Sequence, residues 1–260
     1  MKNSFQRKEM KYRLSLEQKR QLEQALADDL VPDAYPEYRL FSLYCDNERL
    51  DLLRSSSNRP AYREKVRIRS YQENPAGEDQ LFLEVKKKIQ GVTMKKRQSL
   101  PLKDVNLSPE AFGGPDLCSR DLKRITSRYA LKPVLFLSYH RTSWFWKDDP
   151  DLRITFDEDV LFRTRNLVLA RDLREDRLLL PEEETILEIK TSKNLPLKLV
   201  RILEQLKIKP ASFSKAGRAY EMMIREEFSQ NGTDNSEFSF YGAGQSGGRV
   251  SGRWCGALLL

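Results

Sequence analysis

Basic side chains recur at every second position in several short segments of the chain. In VRIRSY, Arg67 and Arg69 alternate with Val66 and Ile68. Because side chains two positions apart lie on the same face of a β-strand, this spacing predicts a strand with one charged and one apolar face. Guanidinium groups bind phosphate oxygens in pairs and ammonium groups act as point charges, so such a face is suited to binding phosphate.

The same alternation occurs in other segments, and the resulting set of residues is strongly basic. Its basic members are Lys11, Arg13, Arg67, Arg69, Lys86, Lys88, Lys95, Arg97, Arg141, Arg153 and Lys190, and its acidic members are Glu9, Glu84 and Glu188. Charged faces of antiparallel strands ordinarily meet water, and for any single strand that explanation stays open. So many like charges would repel one another across neighbouring strands, and we therefore favour a bound polyanion.

The strand-like segments are numerous enough for a barrel. We expect an α+β fold built on a closed eight-stranded antiparallel β-barrel with flanking helices. If the charged faces point inward, the lumen is a basic tunnel that favours a linear phosphate chain over a bulky duplex. The predicted strands are 5–14, 38–44, 65–71, 80–89, 91–100, 133–145, 152–156, 161–168 and 185–191.

Helix signals lie between these strands and after them. Ser15 and Gln18 form a capping box before leucines at helical spacing. Further helices are predicted over 116–129, from Leu195-Pro196 onward, and from Ser214 to about Ser229. The composition then shifts to Asn, Gly and Ser, so we expect a tunnel domain over 1–229 and a flexible tail over 230–260.

Composition narrows the class of protein. A net charge of +8 and a pI near 9.3 favour anionic partners. Cys45, Cys118 and Cys255 are far apart and form no CxxC motif, which indicates neither a disulfide framework nor a zinc site and suggests a cytoplasmic location. No apolar run approaches the roughly 18 residues that span a bilayer, so we expect no membrane insertion.

Phosphate chains usually bind together with Mg²⁺ or Mn²⁺, which take one or two protein carboxylates. Glu188, Glu9 and Glu84 are the candidate ligands, although each could instead orient neighbouring cations, and for Glu84 both roles stay open. Ser214 and Lys215 precede or begin a predicted helix, whose free N–H groups can hold a phosphate. His140 is the only histidine, and either contact with phosphate or a packing role suits it.

In order along the chain, several segments resemble the polyphosphate polymerase domain of the vacuolar transporter chaperone (VTC) family. The resemblance covers roughly residues 5 to 222, and the matching segments are MKYRL, SLYCD, PAYREKVRIRSY, LFLEVKKKIQGVTMKKR, SYHRTSWF, DLRITFDEDV, ILEIKTS and SFSKAGRAY. That family belongs to the triphosphate tunnel metalloenzymes, which are CYTH-like. The resemblance implies an eight-stranded tunnel, a divalent metal, and transfer of the terminal phosphate of ATP to a growing polyphosphate chain.

The resemblance also implies roles for individual residues. Its phosphate-gripping basic residues fall on Lys11, Arg67, Arg69, Lys86, Lys95, Arg141, Arg153 and Lys215, its metal-binding glutamate on Glu188, and further tunnel contacts on Tyr139 and Ser214. We expect the catalytic residues to be Lys11, Arg67, Arg69, Lys86, Arg141, Arg153 and Lys215. Further phosphate contacts are expected from Lys88, Lys95, Tyr139, His140, Lys190 and Ser214.

Three functions compete at this point. The leading one is a polymerase that uses ATP and Mn²⁺ or Mg²⁺, with triphosphate and polyphosphate as further ligands and no specific nucleic acid. The second is a hydrolase of triphosphate or polyphosphate, since the same basic cradle can serve water as the acceptor. The third is a module that binds polyphosphate without catalysis. Eukaryotic members of the family carry an inositol-phosphate-sensing domain and membrane helices, and we expect neither in this chain.

Overall fold

Strands dominate the computed structural model, which describes residues 8–58, 60–90, 92–108, 112, 120–172 and 174–230. The strands are β1 Lys8–Ser15, β2 Leu30–Asp46, β3 Tyr62–Ser70, β4 Gln80–Ile89, β5 Val92–Pro101, β6 Lys132–Trp146, β7 Asp149–Arg163, β8 Arg177–Leu178 and β9 Glu184–Thr191. The α-helices are α1 Leu16–Ala25, α2 Asp51–Asn58, α3 Arg120–Arg128, α4 Leu197–Gln205 and α5 Lys215–Gln230. The expected tail lies outside the described residues, apart from its first residue.

The strands form one antiparallel sheet in the order β1-β9-β7-β6-β2-β3-β4-β5, with β8 beside β7. This confirms the predicted α+β class with a large antiparallel sheet. The predicted closed barrel is wrong for the described residues, because the edge strands β1 and β5 are not paired with each other. The sheet is nevertheless strongly curved, since Lys86 on β4 lies 3.6 Å from Glu9 on β1.

The free edge of β1 is partly occupied by a later segment of the chain. The amide of Ala211 donates to the carbonyl oxygen of Lys11 at 2.7 Å, and Tyr12 forms an isolated antiparallel bridge with Pro210. These bonds use the β1 edge where β5 would have to pair. On β5 the consecutive Lys95, Lys96 and Arg97 are exposed, and charged side chains discourage further strand pairing. Both edges therefore have a physical reason to stay apart.

The outer face of the curved sheet carries the apolar residues of the alternating segments. Around β1, β7 and β9 it is covered by α1 and α4, whose Leu22 and Leu199 are buried there together with Leu26, the residue that caps the end of α1. The predicted capping box is present, because Ser15 and Gln18 exchange side-chain-to-backbone hydrogen bonds. Around β2 to β4, the outer face packs against α3. The sheet is thus anchored from outside, which leaves its inner face for charged groups.

Part of the inner face is apolar as well. Buried residues of β2, β6, β7 and β9 pack there against Leu53 of α2 and against Ala216 and Ala219 of α5. The parity of the inner-facing residues changes within β7, where a register shift accompanies a positive φ of 45° at Asp159. This β-bulge makes β7 a single strand where two were predicted.

The helix predicted over 116–129 is present as α3, with residues 116–119 outside the described part. Helix α2 and the first half of β2 were not predicted. Among the described residues, every helix is either too short or too polar to span a lipid bilayer.

Candidate functional site

The charged half of the inner face, which we call the basic groove, collects side chains from seven strands, from the first residue of α5 and from the residue before it. It is lined by Glu9, Lys11, Lys65, Arg67, Arg69, Glu84, Lys86, Lys95, Arg97, Tyr139, Arg141, Arg153, Asp157, Glu188, Lys190, Ser214 and Lys215. The register places the strand residues of this set on one face, and the curvature brings distant strands together. The structure therefore unites most of the residues that the alternation singled out.

Asp157 on β7 joins two of the predicted catalytic cations. Its buried carboxylate accepts hydrogen bonds from Nε and Nη2 of Arg141 at 2.5 and 2.7 Å, and it also accepts one from Nζ of Lys215. Burial alone would raise the pKa of Asp157, but the charges of Arg141 and Lys215 lower it below its ordinary value. The carboxylate thus stays ionised and fixes a strand residue and a helix residue at one end of the groove.

Glu188 and Glu9 form a second acidic centre on the neighbouring strands β9 and β1. Glu188 lies 2.9 Å from Lys190 and 3.3 Å from Arg141, and its carboxyl is within hydrogen-bonding reach of Glu9. Burial would raise the pKa of Glu188, but Lys190, Lys11 and Arg141 hold it well below the ordinary range. Lys11 lies 3.3 Å from Glu9 and donates to the carbonyl oxygen of Phe213. Both carboxylates therefore sit among cations.

Glu84 occupies the opposite wall and is enclosed by cations. Arg67, Lys95 and Arg97 each approach its carboxylate to 2.6 Å, and Arg69 lies at 3.8 Å. Although burial would raise the pKa of Glu84, the charges of Arg67 and Arg69 and the bond from Lys95 lower it far below its ordinary value. Each oxygen is already engaged, so these contacts favour the orienting role for Glu84 over metal binding.

Lys65 on β3 has a different environment, because it is a cation among cations. Its Nζ donates to Ser214 Oγ at 3.0 Å, and the charges that act on it most strongly are those of Tyr44, Lys11, Lys86 and Arg67, none of which is a carboxylate. Burial, followed by the charges of Lys11, Lys86 and Arg67, lowers the pKa of Lys65 to about 8. Only Tyr44 among the groups that act most strongly on Lys65 favours its ammonium form, and an anion in the groove would relieve the cost of partly burying this charge.

Two further buried groups have polar atoms that a ligand could engage or orient. Arg69 is buried, and its Nε has no hydrogen-bond partner among the described residues. Tyr139 is buried with its ring 5.3 Å from the Arg141 guanidinium and 4.6 Å from Nζ of Lys215. Its aromatic face therefore helps hold these cations. An unpaired guanidinium N–H within a basic groove suits a phosphate oxygen.

The remaining predicted residues lie at the margin of the groove or outside it. Arg153 contacts Ser143 at 2.9 Å and also pairs with Asp33, which places it in the more exposed part. Lys88 is half-buried on the inner-facing side of β4. His140 points to the other face from Arg141 because it is the adjacent residue of the strand, and its Nε2 lies 2.9 Å from Glu37. The structure therefore does not bring His140 to the groove.

Asp157 and Lys65 were missed by the sequence interpretation, although the alternation could have identified both. Asp157 lies four residues after Arg153 and Lys65 two residues before Arg67, so each shares the face of a residue already singled out. The alternation could not predict that these two residues pair with residues at the start of α5, because that pairing depends on how α5 returns to the inner face of the sheet.

Glu9, Glu84 and Glu188 are the acidic groups of the groove that were predicted to hold a divalent metal. No cluster of three or more His, Cys, Asp or Glu residues suited to a metal occurs in the described parts of the chain. Glu9 and Glu188 nevertheless lie within reach of each other, and Glu188 stays ionised. Because Mg²⁺ commonly uses one or two carboxylates and takes its other ligands from phosphates and water, this pair fits such an ion. Glu84 does not, since its oxygens already bind cations.

The fold and the groove together define a sheet-based module whose inner face is rich in basic side chains. Comparison with family models gives the finer assignment, because the VTC domain model matches residues 6–224. The chain therefore belongs to the VTC domain family, as the resemblance had indicated. Among curated proteins, none matches the chain significantly.

Solved structures similar to this chain include three of low sequence identity. A Bacillus halodurans protein, provisionally described as an adenylate cyclase, is 15% identical, covers 80% of this chain and 95% of its own, and has a TM-score of 0.49. PH1819 of Pyrococcus horikoshii is 16% identical, with coverage of 85% and 99% and a TM-score of 0.42. A Vibrio parahaemolyticus protein, with the same provisional description as the first, is 9% identical, with coverage of 84% and 97% and a TM-score of 0.42.

Proposed function

We propose that this protein is a metal-dependent polyphosphate polymerase that transfers the γ-phosphate of ATP to a growing polyphosphate chain in the basic groove. The observation that carries the proposal is the environment of Lys65, a partly buried cation whose cross-strand neighbour is Lys86 and which feels the charges of Lys11 and Arg67 as well. Such a cluster is stabilised by an extended polyanion, and membership of the VTC domain family supports polyphosphate as that polyanion.

The roles of the residues follow from their positions. Arg67, Arg69 and Lys95 on one wall, and Lys11 and Arg141 on the other, would hold the phosphate chain between them. Phosphoryl transfer requires mainly alignment and stabilisation of charge on the transferred group, and fixed cations supply both. Glu84 and Asp157 hold the arginines and lysines in place, so that little reorganisation is needed during the reaction.

Glu188 and Glu9 would hold a Mn²⁺ or Mg²⁺ ion. A bound divalent ion neutralises phosphate oxygens and helps to align them. Lys11, Lys190 and Arg141 surround these carboxylates and hold the pKa of Glu188 well below its ordinary range, so the Glu188 carboxylate can take a cation at neutral pH. Once a phosphate chain is bound, the basic side chains of the groove would neutralise the negative charge that the metal ion does not.

Hydrolysis is the second candidate, and the cover that α5 places over the inner face favours it. Transfer to a second phosphate chain requires donor and acceptor to lie in line within the groove, whereas water needs much less room. The apolar contacts of Ala216 and Ala219 occupy part of that space. The same groove could therefore cleave a terminal phosphate from triphosphate or polyphosphate.

One experiment separates these functions. Purified protein is incubated with ATP and Mn²⁺ or Mg²⁺, and ADP, orthophosphate and long polyphosphate are resolved from the same sample. Growth of polyphosphate chains together with release of ADP is the expected result. Orthophosphate without chain growth would replace the polymerase with a hydrolase, and tight binding of polyphosphate without turnover would leave a binding module.

A further inference from the structure

Strand β5 is the last strand at one edge of the sheet. Among the described residues, its backbone pairs with β4 alone. Residues 92–97 of β5 are all exposed, those that face the groove as well as those that face outward. At the other edge, by contrast, the carbonyl oxygen of Lys11 on β1 already accepts a hydrogen bond from Ala211. The β5 edge therefore has backbone groups to which a further strand could bond.

The outward-facing side chains along this edge are apolar and basic. Val92, Met94 and Lys96 alternate along β5 and share its outer face. Val92 and Met94 are 44% and 45% exposed, and Lys96 is exposed beside Val85 of β4, which carries no charge. A strand added beside β5 would be stabilised by a carboxylate opposite Lys96 and by apolar groups opposite the other two residues.

The two groove-facing residues that flank Lys96 add to the positive charge of this edge. They are Lys95 and Arg97, and their side chains are 43% and 36% exposed although both approach Glu84. Three consecutive cations therefore project alternately to the two faces of β5. A partner strand with consecutive carboxylates would lie opposite all three, whichever face each one takes.

Neither a second copy of β5 nor a lipid surface suits this edge as well as an acidic peptide does. Antiparallel pairing of two β5 strands about Lys96 would place Lys95 of each copy opposite Arg97 of the other, and like charges opposite each other are destabilising. Anionic lipid headgroups would attract the cations, but lipid chains offer the backbone of an edge strand no hydrogen-bonding partners. An extended acidic peptide supplies both the charge and the backbone groups.

We propose that the edge of β5 binds an extended acidic segment of a partner protein, which joins the sheet as a further strand. Backbone hydrogen bonds hold the segment, and side chains at alternate positions select it. The expected segment has carboxylates opposite Arg97, Lys96 and Lys95 and apolar side chains opposite Met94 and Val92. The outward-facing part of this surface lies on the opposite side of the sheet from the basic groove, so the inference does not depend on the proposed function.

The test uses a fluorescent synthetic peptide of about ten residues that contains Glu-Glu-Glu-Val-Thr-Val, the order that antiparallel pairing with β5 requires. Binding is measured by fluorescence anisotropy at physiological salt. A second peptide carries N-methyl groups on two adjacent residues, so that each of its edges loses a hydrogen-bond donor while its charge is kept. Vesicles with and without phosphatidylserine are tested in parallel by sedimentation.

Three protein variants locate the peptide. Lys96→Glu reverses the outward-facing charge of the edge, and Lys103→Glu, at an exposed lysine paired with Glu78, is the matched control. Lys65→Met reports whether the peptide instead enters the basic groove. The inference predicts that Lys96→Glu and N-methylation each weaken binding by about tenfold or more, and that Lys103→Glu and Lys65→Met change it by less than about twofold.

Four results would overturn the inference. Equal affinity for the methylated peptide, or equal effects of Lys96→Glu and Lys103→Glu, would show that charge alone attracts the peptide. A loss of binding in Lys65→Met would place the peptide in the groove. Binding to vesicles with phosphatidylserine but not to the peptide would assign the edge to a membrane surface, and binding to neither would remove it as a docking site. The proposed function is tested by turnover of ATP, so its failure and the failure of this inference are distinguishable.

Discussion

Asp157 accepts two hydrogen bonds from Arg141, at 2.5 and 2.7 Å, while also pairing with Lys215 of α5. One buried carboxylate thus ties the sheet to helix α5. The alternation of charges along the strands leads to Arg141, but only the fold shows why its guanidinium has a fixed direction. The contact therefore connects stability with ligand binding.

Replacing Asp157 with Asn should destabilise the protein. The change leaves Arg141 and Lys215 buried without a full counter-charge, and breaking a buried pair in this way typically costs about 3–5 kcal/mol. Urea unfolding measures the loss, and added tripolyphosphate should restore part of it by supplying negative charge. Asp159→Asn is the control, since Asp159 is more exposed and pairs with Arg39 at the surface. Equal losses in the two variants would contradict the role given to Asp157.

Glu188 and Glu84 should respond differently to neutralisation. Glu188→Gln removes a proposed metal ligand, so the Mn²⁺ concentration needed for half-maximal turnover should rise by about tenfold or more. Glu84→Gln instead releases Arg67, Lys95 and Arg97 from their anchor, so it should weaken polyphosphate binding without changing the metal requirement. Metal titrations of turnover measure both effects. A shifted metal requirement in Glu84→Gln alone would reverse the two assignments.

Polyphosphate binding should weaken as the pH rises above about 8. Burial and neighbouring cations lower the pKa of Lys65 to about 8, below the ordinary lysine value of 10.5. Below pH 8 the ammonium therefore reduces the free energy of unfolding, and this loss of stability disappears as the pH rises from 8 toward 10.5. A bound phosphate chain favours the ammonium, and binding near pH 8.5 should therefore take up a proton. Calorimetry in buffers of different ionisation enthalpy measures that uptake.

Two variants identify the proton's site. Lys65→Arg keeps the charge at all these pH values and should abolish most of the proton uptake. Tyr44→Phe removes the other group that titrates in this pH range. Burial would raise the pKa of Tyr44, but the charges of Arg67, Lys65 and Arg69 lower it to about 8. Proton uptake that persists unchanged in Lys65→Arg would show that another group is responsible.

Gly217→Val should loosen the packing of α5 against α2. Its added Cβ would meet Ser214 Oγ at 3.1 Å and the carbonyl oxygen of Ser56 at 3.3 Å, and the further methyl groups have less room still. Overpacking of this kind costs about 1–3 kcal/mol. Gly217→Ala makes a smaller clash, and the higher helix propensity of alanine offsets it by about 1 kcal/mol. This variant should therefore unfold at nearly the same urea concentration as the unmodified protein. Equal stability of the Val and Ala variants would contradict the close packing of α2 and α5.

Alternation along the strands predicted the inner-facing residues of β1, β3, β4, β5 and β9 because those strands are regular. It failed to predict β7 as one strand, since a bulge at Asp159 changes which residues face inward. Closure of the barrel depends on the two edge strands, and the edge of β1 is partly used by Ala211, far away in the sequence. His140 was predicted to contact phosphate because of its chemical type, but its position in β6, adjacent to the inward-facing Arg141, places it on the outer face.

The most direct test of the central claim is a crystal structure of the protein with tripolyphosphate and Mn²⁺. The account predicts a phosphate chain in the basic groove within hydrogen-bonding distance of Lys65, Arg67, Arg141 and Lys215, with Mn²⁺ on Glu188. A chain bound only on the outer face, or a groove whose Lys65 and Arg141 contact no phosphate at saturating ligand, would contradict it.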